Sequence, residues 1–458
     1  MSDDSTTECL LFPEIFSKPC VVQFDQRQGS SDGGAILLKG AERGYGLIGG
    51  LSGCLEDKRQ ARKIDHSLRE LLAQRVFSIA CGYPDANDSA RLGADPIHKM
   101  LLDRDPVTGL DLASQPTLSR FENSVGPRQL YRMGEILATS VIERHAQRLR
   151  NRARLVTIDL DPTDDPTHGA QQLSFFNGHY DTWCYLPVMG FVSFNDEAEQ
   201  YLCAAVLRPG NATAPAGAVG ILRRLLMIVR EFFPGVRIRL RLDGGFAHPA
   251  LLDFLDAEPK LEYVVAMAKN AVLERKTEEA MQCARALSEI TRQTEHVYDE
   301  VNYAARSWKR ERRVLLKAEV VYGEGKEPKD NPRFVITNMT QGPQWLYEKV
   351  YCLRGDIENR IKELHALEIG RTSCSRFWAN QFRVLLTAAA YILMQELRLR
   401  AAGTNCARAQ VWTLRERLLK LGARVVVSVR RILLHLPASF PFLPAFRKVA
   451  LALGASPG

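Results

Sequence analysis

Asp161, Asp243 and Glu358 are the residues of this chain best placed to do chemistry. Asp161 ends the short β-type run Leu155 to Leu160 and is followed by Pro162-Thr163-Asp164-Asp165. Asp243 ends a second run, Val236 to Leu242, and Gly244-Gly245 follows it, leaving room for close approach. In an open α/β sheet, polar groups at strand ends collect at one edge and form the default site. Glu358 falls on an expected helix, with Tyr351, Arg354, Glu358 and Lys362 spaced three or four apart along one side. Three carboxylates in this arrangement suit a pair of hard cations, which prefer oxygen ligands. Two Mg²⁺ ions about 3.5–4 Å apart would bridge a phosphate, one activating water or a 3′-hydroxyl and the other stabilising the leaving oxygen. Arg354 and Lys362 would contact phosphates nearby. Asp159 shares a strand face with Asp161 and is the reserve for the first position. Taken singly, each acid is more often a solvated or capping residue, and Asp164 and Asp165 also read as turn residues.

The elements that must position these acids follow from periodicity. Residues 59–151 read as helical: Ile64, Leu68, Leu71, Leu72, Val76 and Ile79 recur at helical spacing, and Pro127 opens a longer helix. Leu155–Leu160, Trp183–Phe194 and Tyr201–Leu207 read as strands, Ala216–Phe233 as a helix, Val236–Leu242 as a strand, His248–Ala257 as a helix and Leu261–Met267 as a strand. That order is the order of a ribonuclease-H-like fold. Residues 268–340 interrupt it with a charged helical stretch and strands around Val314–Val321 and Phe334–Thr337. Helix returns over Pro343–Leu367 and Phe377–Arg400. A further helix near Val411–Leu421 and a strand-like Val425–Leu436 follow, and the tail after Pro437 is expected to be weakly ordered. The fold class is therefore α/β: a ribonuclease-H-like catalytic core with a β-rich insertion, plus a helical N-terminal DNA-binding region. The boundaries are 1–151 for the N-terminal arm and helical region, 152–267 for the first part of the core, 268–340 for the insertion, 341–436 for the glutamate helix and the rest of the core, and 437–458 for the tail.

Composition bounds the function classes. With 458 residues, 46% hydrophobic and 25% charged, the chain can build a large core. Met1 to Glu8 is acidic and polar, unlike a secretory signal, and the longest apolar run, Leu385–Met394, is about half a membrane span. A cytoplasmic, nucleoid-associated protein is expected. The ten cysteines include no C-x2-C pair and the nine histidines no H-E-x-x-H, which argues against zinc-ribbon, disulfide-framework and metalloprotease readings. Gly46-Leu47-Ile48-Gly49-Gly50 lacks the Lys-Ser/Thr pair of a nucleotide-binding loop and reads as a turn.

Net charge is +8, and its distribution points to a polyanion. Arg371 to Arg431 holds twelve Arg or Lys against two Glu. A second cluster, Arg306, Lys309, Arg310, Arg312, Arg313 and Lys317, surrounds Trp308. Either cluster reads equally well as a solvated face. Ser114 to Asn123 reads as a capped helix whose Arg120 or Asn123 could reach base edges in a major groove, or as a plain surface helix.

The motifs together resemble those of bacterial insertion-sequence transposases of the DDE class. Tyr351-x2-Arg354-x3-Glu358 is similar to the glutamate-helix signature of that class, Asp161-Pro162-Thr163 to its first-aspartate motif and Asp243-Gly244-Gly245-Phe246 to its second. The signature usually continues to a lysine where this chain has His365; the nearest lysine is Lys362. The branch called IS thirteen-eighty is echoed in Asp32-Gly33-Gly34-Ala35-Ile36-Leu37-Leu38, in Ser114 to Asn123, in Asp164 to Gln171 and in Arg376-Phe377-x3-Gln381-Phe382-Arg383. Phe175 to Tyr180 resembles a loop that the family places near its active site, where His179 would be in reach of DNA. The resemblance runs from about residue 20 to 436. It implies a ribonuclease-H-like core with an insertion between the second Asp and the Glu, and dependence on Mg²⁺, with Mn²⁺ able to substitute. The substrates it implies are double-stranded DNA, namely terminal inverted repeats and target DNA, with a homodimer pairing two ends. Asp161, Asp243 and Glu358 would be the catalytic and metal-binding residues. Tyr351, Arg354, Lys362, Arg120, Asn123, Trp308, Arg310, Arg312 and Arg313 would touch DNA. A nuclease, or a protein that binds ends without cutting, is the alternative on the same core.

Overall fold

The computed structural model describes residues 9–14, 17–323 and 325–457; Met1 to Glu8 lie outside them. The helical N-terminal portion includes α1 (Leu68–Ala80), α2 (Gln115–Glu122) and α3 (Pro127–Leu149). Ser67 starts α1 with a reciprocal capping box to Glu70, which satisfies N–H groups left free at a helix start. Ser114 and Pro116 start α2, and Pro127 starts α3.

A nine-stranded mixed sheet follows. Its strands are β1 (Leu155–Pro162), β2 (Val188–Phe194), β3 (Tyr201–Val206), β4 (Arg237–Leu242), β5 (Leu261–Met267), β6 (Glu295–Tyr303), β7 (Arg312–Gly323), β8 (Lys326–Asp330) and β9 (Arg333–Thr337). The order across the sheet is β6-β7-β9-β5-β4-β1-β2-β3, with β8 paired to β7. β4 runs parallel to β1 and β5, while β2 and β3 return antiparallel. Between β3 and β4 lies the amphipathic helix α4 (Ala218–Phe232), and between β4 and β5 the helix α5 (Pro249–Ala257). The central strands β1 and β2 are nearly all buried, as expected of strands covered on both faces.

Four expectations change. The run Trp183–Phe194 is two strands, because Pro187 lacks an N–H for the ladder: Thr182–Tyr185 joins a separate three-stranded sheet, and β2 starts at Val188. The strands of the 268–340 segment do not stand beside the core. Through β9 on β5 they extend the core sheet itself. Pro343–Leu367 is not one regular helix: a short turn at Pro343–Leu346 widens to a π-turn at Tyr347–Tyr351 and tightens at Cys352–Gly355 before α6 (Asp356–Ala366). Finally, Val425–Leu436 is a hairpin of Ala423–Val427 with Ile432–His435, and the tail carries a helix, Leu443–Ala452, that buries Ala445 and Val449.

The core helix is α7 (Phe377–Arg400), buried along almost its whole length. It covers the edge strand β3. Gln381 accepts a hydrogen bond from the Leu207 N–H at 2.7 Å and donates to the Ala205 carbonyl; Gln395 accepts from the Leu202 N–H and donates to the Gln200 carbonyl. These bonds occupy backbone groups that an open edge would expose. Among the described residues no helix is long and apolar enough to cross a membrane.

Candidate functional site

β1 and β4 are parallel with Leu160 opposite Leu242, so the next residues, Asp161, still paired to β2, and Asp243, just past the end of β4, follow side by side. Asp243 is fixed by its own turn, its Oδ1 accepting the Gly245 N–H at 3.0 Å. Glu358 comes from the first turn of α6, where an acid is favoured by the helix dipole. The change of winding just before α6 brings Arg354 back over the strand ends. Its Nη2 lies 2.6 Å from Asp161 and 3.8 Å from Asp243.

Burial pushes the Asp161 carboxyl up, to about 7; Arg354 opposes the shift, and the charges of Asp243, Glu358 and Asp159 add to it. Asp161 therefore senses both other acids of the trio. It gives up its proton most readily when further positive charge arrives. The three acids are oxygen-only donors, and a cation, the Arg354 guanidinium, already sits among them. That donor set fits hard divalent ions. Among the described residues the group of donors that closes to within 4.8 Å is elsewhere: Asp32, Cys81 and His98, all buried. There Lys420 already neutralises Asp32 at 2.7 Å and His98 bonds it at 2.9 Å.

Asp159, the reserve, is fully buried and held by Arg241 through two bonds of 2.7 Å and by Gln200 at 2.8 Å. It is the foundation of the strand pair rather than part of the open edge. Tyr351 is half-buried with its ring 5.5 Å from that of Tyr347, and its hydroxyl feels the charge of Asp243. Lys362 is exposed on α6. At the position where the signature has lysine, His365 Nε2 lies 3.3 Å from the Thr163 hydroxyl, two residues beyond Asp161. The Phe175–Tyr180 loop does lie near the acids: Tyr180 feels Asp164, Asp161 and Asp243, while His179 is exposed.

The basic cluster around Trp308 divides into paired and exposed members. Arg312 is buried and pinned by Asp253 and Asp256, each at 2.8 Å, with its guanidinium 4.9 Å from the half-buried Trp308 ring. Arg313 donates to the Gln341 carbonyl at 2.9 Å, to the Met339 carbonyl and to Glu300. Arg310 is exposed, 3.7 Å from Asp256. Arg312, Arg313 and Lys317 are spent on partners within the protein, whereas Arg306, Lys309 and Arg310 stay exposed. In α2, Arg120 is exposed and lines a cavity of about 550 Å³ together with Lys58, Arg59 and Lys63. Asn123 turns its amide back onto the Ser119 carbonyl at 2.9 Å. Arg208, which sequence reasoning passed over, emerges as a buried arginine near this edge. Only its place just after a strand hinted at it.

Residues 12–457 match the family model described as transposase DDE domain group 1. No curated protein matches. Among solved structures, the chain is similar to the cryo-EM structure of the piggyBac transposase synaptic complex with hairpin DNA, at 11% identity over 83% of this chain and 78% of that one, with a TM-score of 0.43.

Proposed function

The chain belongs to the transposase DDE domain group 1 family, and we propose that Asp161, Asp243 and Glu358 are its catalytic acids. It is a DNA transposase, an enzyme that cleaves and rejoins DNA with divalent metal ions. The observation that carries the assignment is the single guanidinium of Arg354 reaching both Asp161 and Asp243, with the charge of Glu358 felt at Asp161.

Asp161, Asp243 and Glu358 would hold the ions, for which Mg²⁺ is our choice. When bound, the ions lower the pKa of the attacking water or 3′-hydroxyl and neutralise charge on the phosphate. The protein's own part is placement. The paired strands β1 and β4 fix the two aspartates, and the buried Asp159–Arg241 pair beneath them holds the strands in register. Arg354, released from the aspartates, is then free to donate to a phosphate oxygen. Tyr351 packs behind it, and the exposed Lys362 lies along the same helix.

The strand order β3-β2-β1-β4-β5 supports reading residues 152–267 as the first part of a ribonuclease-H-like core, completed by 341–436. Residues 268–340 then act as an insertion that widens the sheet. The N-terminal helices, with Arg120 beside Lys58, Arg59 and Lys63, are the surface we assign to terminal inverted repeats. A homodimer would pair the two ends, and the IS thirteen-eighty branch is the one we favour. The test is cleavage of a duplex carrying the genomic boundary of the element, with Mg²⁺ and with chelator. Asp161→Asn and Asp243→Asn should each reduce cleavage roughly a thousandfold, about 4 kcal/mol of barrier. Cleavage at the wild-type rate in either variant would remove that residue from the site.

A further inference from the structure

We propose that the N-terminus of α4, together with Arg208 beneath it, binds a backbone phosphate of the DNA strand lying across the three carboxylates. The inference rests on the transposase reading for its ligand, and on two separate observations for its site.

The first is Arg208. The residue is 5% exposed, and among the described residues it forms no ion pair. Its Nε donates to the Leu186 carbonyl at 2.8 Å, and its Nη1 to the carbonyls of Thr213, Ala214 and Ala216 at 2.9, 2.9 and 3.0 Å. Nη2 is buried with no partner. The other deeply buried arginines differ: Arg75 meets Glu122, Arg241 meets Asp159, Arg312 meets Asp253 and Asp256, and Arg398 meets Glu363. A buried charge without an anion is costly, and burial accordingly pulls the Arg208 pKa down, to about 10, with Tyr180 the titratable neighbour that acts on it. An anion supplied from outside would relieve that cost.

The second is the helix start that Arg208 touches through the Ala216 carbonyl. α4 is 15 residues long, with Gly217 at its N-cap, no side-chain cap and no acid in its first turn. Gly217 and Gly220 are open: a Cβ built on either would meet nothing within 4 Å. The Ala218 N–H is taken by the Pro215 carbonyl at 3.0 Å, which leaves the N–H groups of Val219 and Gly220 and the positive end of the helix dipole at an open surface, the usual setting for a bound phosphate. A turn that needed only to be capped would be served by Ser, Thr or Asp at this point.

The location ties the subsite to the acids. Val206 at the end of β3 pairs with Val188, and Val188 with Pro162, next to Asp161. The segment that follows β3 crosses to the other aspartate: Ala214 Cβ lies 2.8 Å from where a Cβ on Gly245 would stand, two residues past Asp243. A strand passing over Asp161 and Asp243 therefore meets the start of α4 next. Nη2 is enclosed, so Arg208 acts on the phosphate through its charge beneath the start of α4.

The test uses the full chain, the duplex carrying the element boundary, and Gly220→Glu beside Gly220→Gln, with affinity measured across a salt series in chelator. Both side chains fit the open space, and only Glu opposes a phosphate. We expect Gly220→Glu to bind roughly tenfold more weakly and its log–log salt slope to fall by about 0.9, the value of one phosphate contact. Gly220→Gln should keep the wild-type slope. The thermal midpoint of the Glu variant should not fall, because an acid in the first turn favours the helix. A wild-type slope in Gly220→Glu overturns the proposal, as does equal weakening by Glu and Gln. Because binding is read without metal, a wild-type chain that fails to cleave would count against the catalytic assignment and leave this result standing.

Discussion

Arg354 neutralises Asp161 and Asp243 while no other cation is among them, and this sets a competition. An arriving metal ion must displace the guanidinium at 2.6 Å from Asp161. Arg354→Gln should therefore bind Mn²⁺ more tightly than the wild type, by roughly tenfold or about 1.4 kcal/mol, as read by titration calorimetry or electron paramagnetic resonance. The same variant should melt at a lower temperature in chelator, since the acids then repel one another. Metal affinity equal to or weaker than wild type would show that Arg354 does not compete. At this scale the sequence was informative for the acids, because strand ends and a helix face can be read from periodicity. It could not separate Asp159 from Asp161. Both share a face of β1, and only the tertiary position of Arg241 and Gln200 buries one and leaves the other at the edge. The cluster around Trp308 divides for the same reason: charge along the chain does not reveal that Asp253 and Asp256 of α5 lie opposite Arg312.

Between elements, these buried contacts act as joints. Arg312 fastens the start of β7 to α5, and Arg312→Ala removes a buried guanidinium from Asp253 and Asp256, which keep Lys309, Arg310 and the Tyr263 hydroxyl as partners. It should lower stability, read by urea unfolding, with no change in the salt slope of DNA binding. A flattened slope at unchanged stability would instead return the cluster to the DNA surface. A second joint is His145 of α3, stacked on the Phe194 ring at 4.9 Å and tilted against the Tyr201 ring at 3.8 Å. Burial pulls its pKa down to about 2, helped by Arg148 and Arg144. The folded state thus keeps His145 neutral while the unfolded chain takes a proton below about 6.5. Stability is unaffected above that pH and falls as pH drops beneath it, by up to about 1.4 kcal/mol per unit from this group. His145→Gln should have a shallower acid limb between pH 6.5 and 5 in urea midpoints. Equal loss in both proteins would contradict the assignment. The elements themselves were largely legible from the sequence, α7 to its end residues. The hidden part was pairing over distance: that the strands after residue 268 rejoin the sheet through β9 depends on contacts that no local pattern encodes.

Across the described residues, the larger of two hydrophobic clusters runs from Ala35 to Val449. The N-terminal helices are not a freestanding unit. Arg75 of α1 and Arg383 of α7 share Glu122 of α2, and Gly29–Ser30 pairs with Ala423–Val427. The N-terminal and C-terminal portions approach closely at Gly34, where a Cβ would stand 1.7 Å from the Leu418 carbonyl oxygen. Gly34→Ala should cost at least about 3 kcal/mol, and a thermal midpoint equal to wild type would show that this closure is loose. Leu160, Leu242 and Ile357, chain neighbours of Asp161, Asp243 and Glu358, all belong to this cluster, which ties the segments of the proposed site together. The account stands or falls on whether that site cuts DNA. Glu358→Gln keeps the size of the side chain and one acceptor oxygen while removing the charge that helps hold the metal pair. Assayed on the element-boundary duplex with Mg²⁺, it should cleave roughly a thousandfold more slowly, yet bind the same duplex with wild-type or slightly higher affinity in a gel shift. Cleavage at the wild-type rate with intact binding would contradict the assignment of Glu358 and, with it, the three-acid site.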